Sequence, residues 1–261
     1  MNLQEDDFIP INKLLKNLEN ESEKPQVILL TCGSYNPIHN LHIQIFEHAK
    51  QYLEDEKQYK IVLGYISPSQ DMYVNQKYHK QAIPLKDRKE MIRLAIKESP
   101  WIDITTWESS SKENAKDFVH YHLVVKKLSK FLEKNEQVKK ALNERPLKIV
   151  YLCGLDQVTK TERNGLKKLE DYEIVIIERY LNDTNGKKDL EYCKEKLKVM
   201  YEKDKWNLLK DQISFINCKD NNEISSKAIR KSLKDKDNDD WENMCHPDVV
   251  NYIKENKILD L

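Results

Sequence analysis

The chain has 261 residues, of which 39% are hydrophobic and 34% charged, with Lys+Arg 44 balanced by Asp+Glu 44. That length and apolar content suit one sizeable packed domain or a core with a small appendage. The neutral balance argues against an electrostatically driven nucleic-acid partner, and no apolar run approaches the roughly 18 residues of a membrane span. The five cysteines (Cys32, Cys153, Cys193, Cys218 and Cys245) are odd in number and scattered, without a CxxC. They read as reduced intracellular thiols, neither a disulfide frame nor a zinc site. The opening MNLQEDDFIP is acidic and has no signal-peptide apolar core.

In chain order, residues 1–24 form a polar lead-in with room for a short helix. VILLT (27–31) is the first strand candidate. Leu41, Ile45, Ala49 and Leu53 then recur at helical spacing. KIVLGYIS (60–67) is a second strand, a helix is expected over about Lys86 to Glu98, and WIDITT (101–106) is a third strand. A longer helix is expected from about Glu113 to Leu142, followed by the strands KIVYLC (148–153) and EIVIIE (173–178). Residues 181–211 follow the turn signal LNDTNGKKD and are rich in Lys, Glu and Asp, which predicts a solvent-facing helix outside the sheet. QISFIN (212–217) is the last strand, and KDKDNDD (234–240) reads as a charged loop. Several strands are continuous apolar runs without alternation, as parallel strands buried on both faces are. The alternation predicts an α/β fold, a Rossmann-like doubly wound parallel sheet with a small C-terminal helical subdomain. The expected division is a lead-in at 1–24, a core at 25–217 with a variable charged helical region at 181–211, and a C-terminal helical part at 218–261.

CGSYNPIHNLH (32–42) joins the first strand to the first helix. A glycine there lets backbone N–H groups approach an anion, and the helix N-terminus adds partial positive charge. A tight turn alone would also explain the glycine. Pro37 is expected to set the chain at the helix entry. His39 and His42, three apart, are expected to share a face toward that anion, where an imidazole donor can stabilise charge building on a phosphate oxygen. Two histidines without a matching carboxylate or cysteine make a poor zinc site. His120 and His122, two apart in an expected helix, fall on different faces and do not read as a ligand pair. Taken alone, ISSKAIRKSL (224–233) is an ordinary capped basic helix.

GSYNPIHNLH resembles the GxF/YxPxHxxH signature of the HxGH-motif nucleotidyltransferases. With Leu41 in place of the motif glycine, it points to the eukaryotic-type nicotinamide/nicotinic acid mononucleotide adenylyltransferases. YISPSQDMY (65–73), WIDITTWES (101–109), YLCGLDQ (151–157), NEISSKAIRKSL (222–233) and HPDVVNYIKENKI (246–258) resemble further segments of that family, in the family's order and approximate spacing. The resemblance covers roughly Pro25 to the end, apart from 181–211.

The resemblance implies adenylyl transfer from ATP to nicotinamide or nicotinate mononucleotide, giving NAD or its deamido form and pyrophosphate. The mononucleotide phosphate would attack the α-phosphorus, so alignment and charge stabilisation would do the catalysis. Carried over residue by residue, Gly33 and Ser34 would hold the mononucleotide phosphate, with Tyr35 in the same turn. His42 would contact an ATP phosphate with His39 as helper. Gly154 would admit the dinucleotide and Asp156 would hold the adenosine ribose. Ser225 and Ser226 would bind triphosphate at a helix start, and Arg230 would clamp phosphate. Leu166, Arg179 and Asn222 match further nucleotide-contact positions, and Lys80, in preference to Lys77, would supply a phosphate-binding lysine. Mg2+ would enter with ATP. The implied partners are ATP and a pyridine mononucleotide, with no nucleic acid, no membrane and a homo-oligomeric assembly; the implied location is cytoplasmic and/or nuclear.

The departures concern the base. Asn114 and Lys167 stand where the family has stacking tryptophans, so the ring sandwich is expected to be rebuilt from residues such as Phe118 or a tyrosine, or to be lost. Lys167 would favour an acidic nicotinate. Trp101 and Trp107 match mainly structural positions, and Lys227 replaces the family's Thr near the triphosphate. The alternatives are a related adenylyltransferase with another phosphate acceptor, or a non-catalytic nucleotide-binding or chaperone-like protein of the same fold.

Overall fold

The computed structural model describes residues 8–20, 22–110, 118–155, 157, 166–179, 190–201, 206–207, 209–218, 224–235 and 239–259. Its centre is a six-stranded parallel sheet in the order β3-β2-β1-β4-β5-β6. The strands are β1 (Gln26–Gly33), β2 (Lys60–Pro68), β3 (Ile102–Ile104), β4 (Leu147–Gly154), β5 (Glu173–Arg179) and β6 (Ile213–Cys218). All six expected strands are present, within a few residues of their expected ends. The absence of alternation in β1 has a direct cause: Ile28 and Leu30 enter the core on one face of the sheet, and Val27 and Leu29 enter the core on the other.

The first face is covered by α1 (Asn12–Leu18), α6 (Tyr121–Lys134), α7 (Glu136–Leu142) and α8 (Leu190–Tyr201). The second is covered by α2 (Asn40–Glu56), α4 (Leu85–Ala95), α9 (Ser226–Ser232) and α10 (Pro247–Glu255). Two short helices, α3 (Asp71–Tyr78) and α5 (Trp107–Ser110), sit on the connections after β2 and β3. The chain winds outward from β1 to β3, then restarts beside β1 with β4 and winds the other way. The crevice beyond the carboxyl ends of β1 and β4 is therefore the topological switch point, where open α/β sheets bind ligands.

Three expectations change. The long helix over 113–142 is two helices, because Asn135 takes an extended conformation and its side chain accepts the N–H of Val138 at 3.1 Å. An Asn side chain competes with the helix for its own backbone and serves better as a cap. The first of the two helices begins only at Tyr121, and residues 111–117 lie outside the described ones. The expected solvent-facing helix is α8, which instead covers the sheet next to β5 and β6. Cys193 and Leu197, four apart, are fully buried, while the pairs Glu191–Lys194 and Glu195–Lys198 face outward. Two apolar residues at i and i+4 suffice to seat a helix whose other faces are charged. The lead-in forms its short helix, but as part of the core: Ile9, Leu14 and Leu18 are buried, and Lys13 Nζ donates to the carbonyls of Ser99 and Ile102.

The C-terminal helices dock on the second face. Tyr252 Oη donates to Asp87 Oδ1 at 2.9 Å, Lys97 pairs with Asp248, and Trp241, Val249 and Ile253 are buried. No helix among the described residues is long and apolar enough to cross a membrane.

Candidate active site

The turn leaving β1 lies at the switch point. Gly33 ends the strand, and a Cβ there would sit 3.1 Å from Cζ of Tyr35, so the glycine admits that ring. Tyr35 is 4% exposed, has φ 45°, and meets the His42 imidazole edge-on at 4.9 Å. Tyr35 thus packs behind the turn. The Asn36–Pro37 peptide is cis. Helix α2 begins at Asn40 with His39 as its N-cap, so Pro37 stands two residues ahead of the cap and not at the helix entry.

His39 and His42 come together as expected. Their rings stack with centroids 3.6 Å apart, and they form a reciprocal capping box. The backbone N–H of His39 donates to Nδ1 of His42 at 3.1 Å. With Nδ1 accepting, the proton of the neutral ring sits on Nε2, which is then a donor. His39 is buried and holds its neighbour; His42 is half-buried.

Three buried side chains lock this turn. Asn36 accepts the N–H of Ile83 at 2.7 Å and donates to the carbonyl of Gln81 at 2.8 Å. Arg88, fully buried, donates from Nη1 to the Ser34 carbonyl, from Nε to the Ile83 carbonyl and from Nη2 to Asp71, each at 2.9 Å. Arg230 donates from Nη1 to the carbonyls of Asn36 (2.6 Å) and Ser226 (3.0 Å), with its guanidinium 4.5 Å over the Tyr78 ring. At 8% exposure Arg230 braces the turn through these peptide groups. Ser226 acts in the same way, donating its hydroxyl to the Pro37 carbonyl at 2.8 Å. Ser225 is the N-cap of α9, accepting the N–H of Ala228 at 3.0 Å. Within this cradle Ser34 Oγ is buried and meets no hydrogen-bond partner among the described residues. A buried hydroxyl left so costs about 1–3 kcal/mol, which a bound anionic oxygen would recover.

Gly154 ends β4, opposite Ile177 of β5, and Arg179 ends β5 at the same carboxyl edge of the sheet, whereas Leu166 opens the turn Leu166–Leu169 that leads into the start of β5. Lys80 is exposed in the turn His79–Gln81, and Lys77 lies over the rings of Tyr73 and Tyr78. Lys227 is exposed on α9. Asp156, Asn222 and Asn114 lie outside the described residues. Trp101 and Trp107 are buried, as their expected structural role requires.

Two further features were only partly legible in the sequence, which carries Glu108 within WIDITTWES and offered Phe118 or a tyrosine for the ring. Glu108, 2% exposed, accepts the Ser67 hydroxyl at 2.6 Å beneath the turn. Burial raises its carboxyl from 4.5 to about 7, against the opposing pull of Ser67, Ser69, Cys32 and the Arg88 charge. Its sequence signal was its place in WIDITTWES, directly after Trp107. The second is an aromatic rim. Tyr73 meets Phe118 at 4.8 Å, Phe118 meets His120 edge-on at 4.8 Å, and His120 stacks on His122 at 5.5 Å. The two histidines do meet, because His120 is the extended N-cap of α6, where helical spacing does not apply. Among the described residues no group of three or more His, Cys, Asp or Glu could hold a metal ion.

Sheet order, switch-point turn and paired histidines define a doubly wound α/β protein with its ligand crevice beyond β1 and β4. The cytidylyltransferase-like family matches residues 30–232. Nicotinamide/nicotinic acid mononucleotide adenylyltransferase 1 of Bos taurus is 32% identical over 246 residues, covering 82% of this chain and 82% of that protein. Nicotinamide/nicotinic acid mononucleotide adenylyltransferase 2 of Xenopus tropicalis is 41% identical over 88 residues, 34% of this chain and 27% of that protein. The structure of Plasmodium falciparum nicotinic acid mononucleotide adenylyltransferase complexed with NaAD superposes with a TM-score of 0.59 at 20% identity, covering 90% of this chain and 98% of that one, which supports the fold. The chain belongs to the cytidylyltransferase-like family and, within it, to the nicotinamide/nicotinic acid mononucleotide adenylyltransferases.

Proposed function

We propose that the turn after β1 is where this chain transfers the adenylyl group of ATP to nicotinamide or nicotinate mononucleotide, forming NAD or its deamido form and releasing pyrophosphate. The observation that carries the reading is the turn itself, with Ser34 Oγ buried and without a hydrogen-bond partner among the described residues, beside the stacked His39–His42 pair. The mononucleotide phosphate is the nucleophile and needs no side-chain assistant beyond alignment. Gly33 and Ser34 seat that phosphate. His42 donates from Nε2 to an ATP phosphate oxygen as charge builds there, and His39 holds the His42 ring. Arg230, Ser226, Asn36 and Arg88 keep the turn in place, so that little reorganisation is left for the moment of transfer. Lys80 reaches the polyphosphate, and Gly154, Asp156, Leu166, Arg179 and Asn222 receive the nucleoside parts. Ser225 starts the helix that carries Arg230. A divalent cation, Mg2+ in this reading, would be held by the ATP phosphates rather than by a protein cage and would supply charge neutralisation. The same reading carries a homo-oligomeric assembly, which sedimentation would test.

The test is purified protein with ATP, Mg2+ and each mononucleotide in turn, reading dinucleotide and pyrophosphate together. Both products are expected in equal amounts. His42→Ala is expected to lower kcat by about 100-fold or more with ATP binding retained. Folded wild-type protein that makes no dinucleotide from either mononucleotide would overturn the reading.

A further inference from the structure

The pyridine end of such a substrate needs a surface, and the two expected tryptophan positions hold Asn114 and Lys167. The rim around the start of α6 offers one made of other groups. It stands on the carboxyl edge of the sheet that also bears Ser34. The N–H of Val119 donates to Gln70 Oε1 just past β2, and Tyr121 stacks on Tyr151 of β4 at 5.1 Å. Between those anchors lie Phe118, His120 and His122.

His122 is the unusual member. It is 6% exposed, its ring stacks on His120, and its Nδ1 is buried without a hydrogen-bond partner among the described residues. Burial first, then the charges of Lys168, His120 and Lys126, lower its pKa to about 4. The imidazole is therefore neutral near pH 7 and stands in positive surroundings. Lys168 belongs to the turn Leu166–Leu169, which packs against α6. The N-terminal end of the 14-residue α6 adds partial positive charge of its own.

We propose that His120, His122 and Lys168 form a recognition surface for an anionic ring substituent, so that this chain prefers nicotinate mononucleotide over nicotinamide mononucleotide. The proposal rests on the adenylyltransferase reading above. The pyridine of nicotinate carries a carboxylate, which accepts only, and a surface of imidazole and ammonium donors satisfies it with charge-assisted hydrogen bonds. The carboxamide of nicotinamide is neutral and turns an NH2 group toward some of those same donors. A site that pairs one substituent and leaves the other partly unpaired against buried His122 discriminates between them, as polar recognition generally does. Phe118 and Tyr73 supply the apolar flank that the ring itself needs.

The experiment measures kcat/KM for both mononucleotides at saturating ATP and Mg2+. Wild type is expected to favour nicotinate mononucleotide by about tenfold or more, the effect of one charge-assisted hydrogen bond. His122→Ala and Lys168→Ala are each expected to lower that ratio by several-fold, and His122→Asn, which keeps a polar donor, to restore part of it. Because Lys168 is exposed, its substitution tests the idea even where His122→Ala impairs folding. A wild-type ratio at or below one overturns the proposal. So does a ratio that neither substitution moves, since a purely structural role would lower both rates together. If neither mononucleotide is turned over, the adenylyltransferase reading is what fails. Calorimetric binding of the two mononucleotides then decides the present proposal, and equal affinities overturn it.

Discussion

Glu108 shows how much one buried side chain can set. Its carboxyl titrates at about 7 in the fold against an ordinary 4.5. A folded-state pKa above the unfolded one means that the native state holds an extra proton between those values. The contribution is therefore full below pH 4.5 and is lost as pH rises through 7, on the order of 3 kcal/mol at most. Glu108→Gln has no such titration. Urea unfolding of both proteins between pH 5 and 8 is expected to show wild type losing stability relative to Glu108→Gln as pH rises; a constant difference would contradict the burial argument. The residue scale also explains what the motif reading missed. The types and spacing of His39 and His42 announced their partnership. Arg230 fits a phosphate clamp by type, but no local motif announces that its Nη1 donates to the carbonyls of Asn36 and Ser226.

At the scale of elements, α9 is a brace between the C-terminal segment and the turn after β1. Ser226 and Arg230 lie one helical turn apart, so both reach the peptide groups around Pro37. Arg230→Lys keeps the charge but loses the planar fork and the stack over Tyr78. The expected result is a loss of about 1–3 kcal/mol of stability together with a fall in kcat that exceeds any rise in KM, read by thermal melting and steady-state rates. Unchanged kinetics would remove Arg230 from the positioning role. Helix α8 makes a different point. Its composition pointed to solvent, yet Cys193 and Leu197 are enough to dock it, because a single apolar stripe decides which face is buried. Asn135 makes a third: a polar residue inside a long helical pattern turned out to be the stop of one helix and the cap of the next.

For the whole molecule, the sheet separates two cores, and both ends of the chain contribute to them. Ile9, Ile11, Leu14 and Leu18 of the N-terminal segment are buried on the first face, where Tyr65 Oη also donates to the Pro10 carbonyl at 2.6 Å. Each such side chain contributes roughly 1.5–3 kcal/mol, and together they rival the 5–15 kcal/mol (about) of a typical domain. Removing residues 1–24 is therefore expected to abolish cooperative urea unfolding or to lower its midpoint by half or more. A truncated chain with the wild-type midpoint would show that the segment is a dispensable appendage. On the second face, α10 is tied to α4 through Tyr252–Asp87 and Lys97–Asp248, so the closing helix stabilises the same core that backs the turn after β1.

The six strands, the doubly wound parallel class, the turn after β1 and the family were legible in the amino-acid sequence. These follow from local rules: continuous apolar runs, turn residues and short motifs act over a few neighbours. Packing of the whole chain was needed to seat α8 in the core, to turn Arg230 and Ser226 toward the turn's peptide groups, to raise the Glu108 carboxyl to about 7 and to bring His120 to His122. Each of these depends on what a side chain touches across 30 or more residues of chain, or on a cap conformation that takes a residue out of helical spacing. Burial and non-local hydrogen bonding are properties of the packed molecule, and no pattern within one segment encodes them.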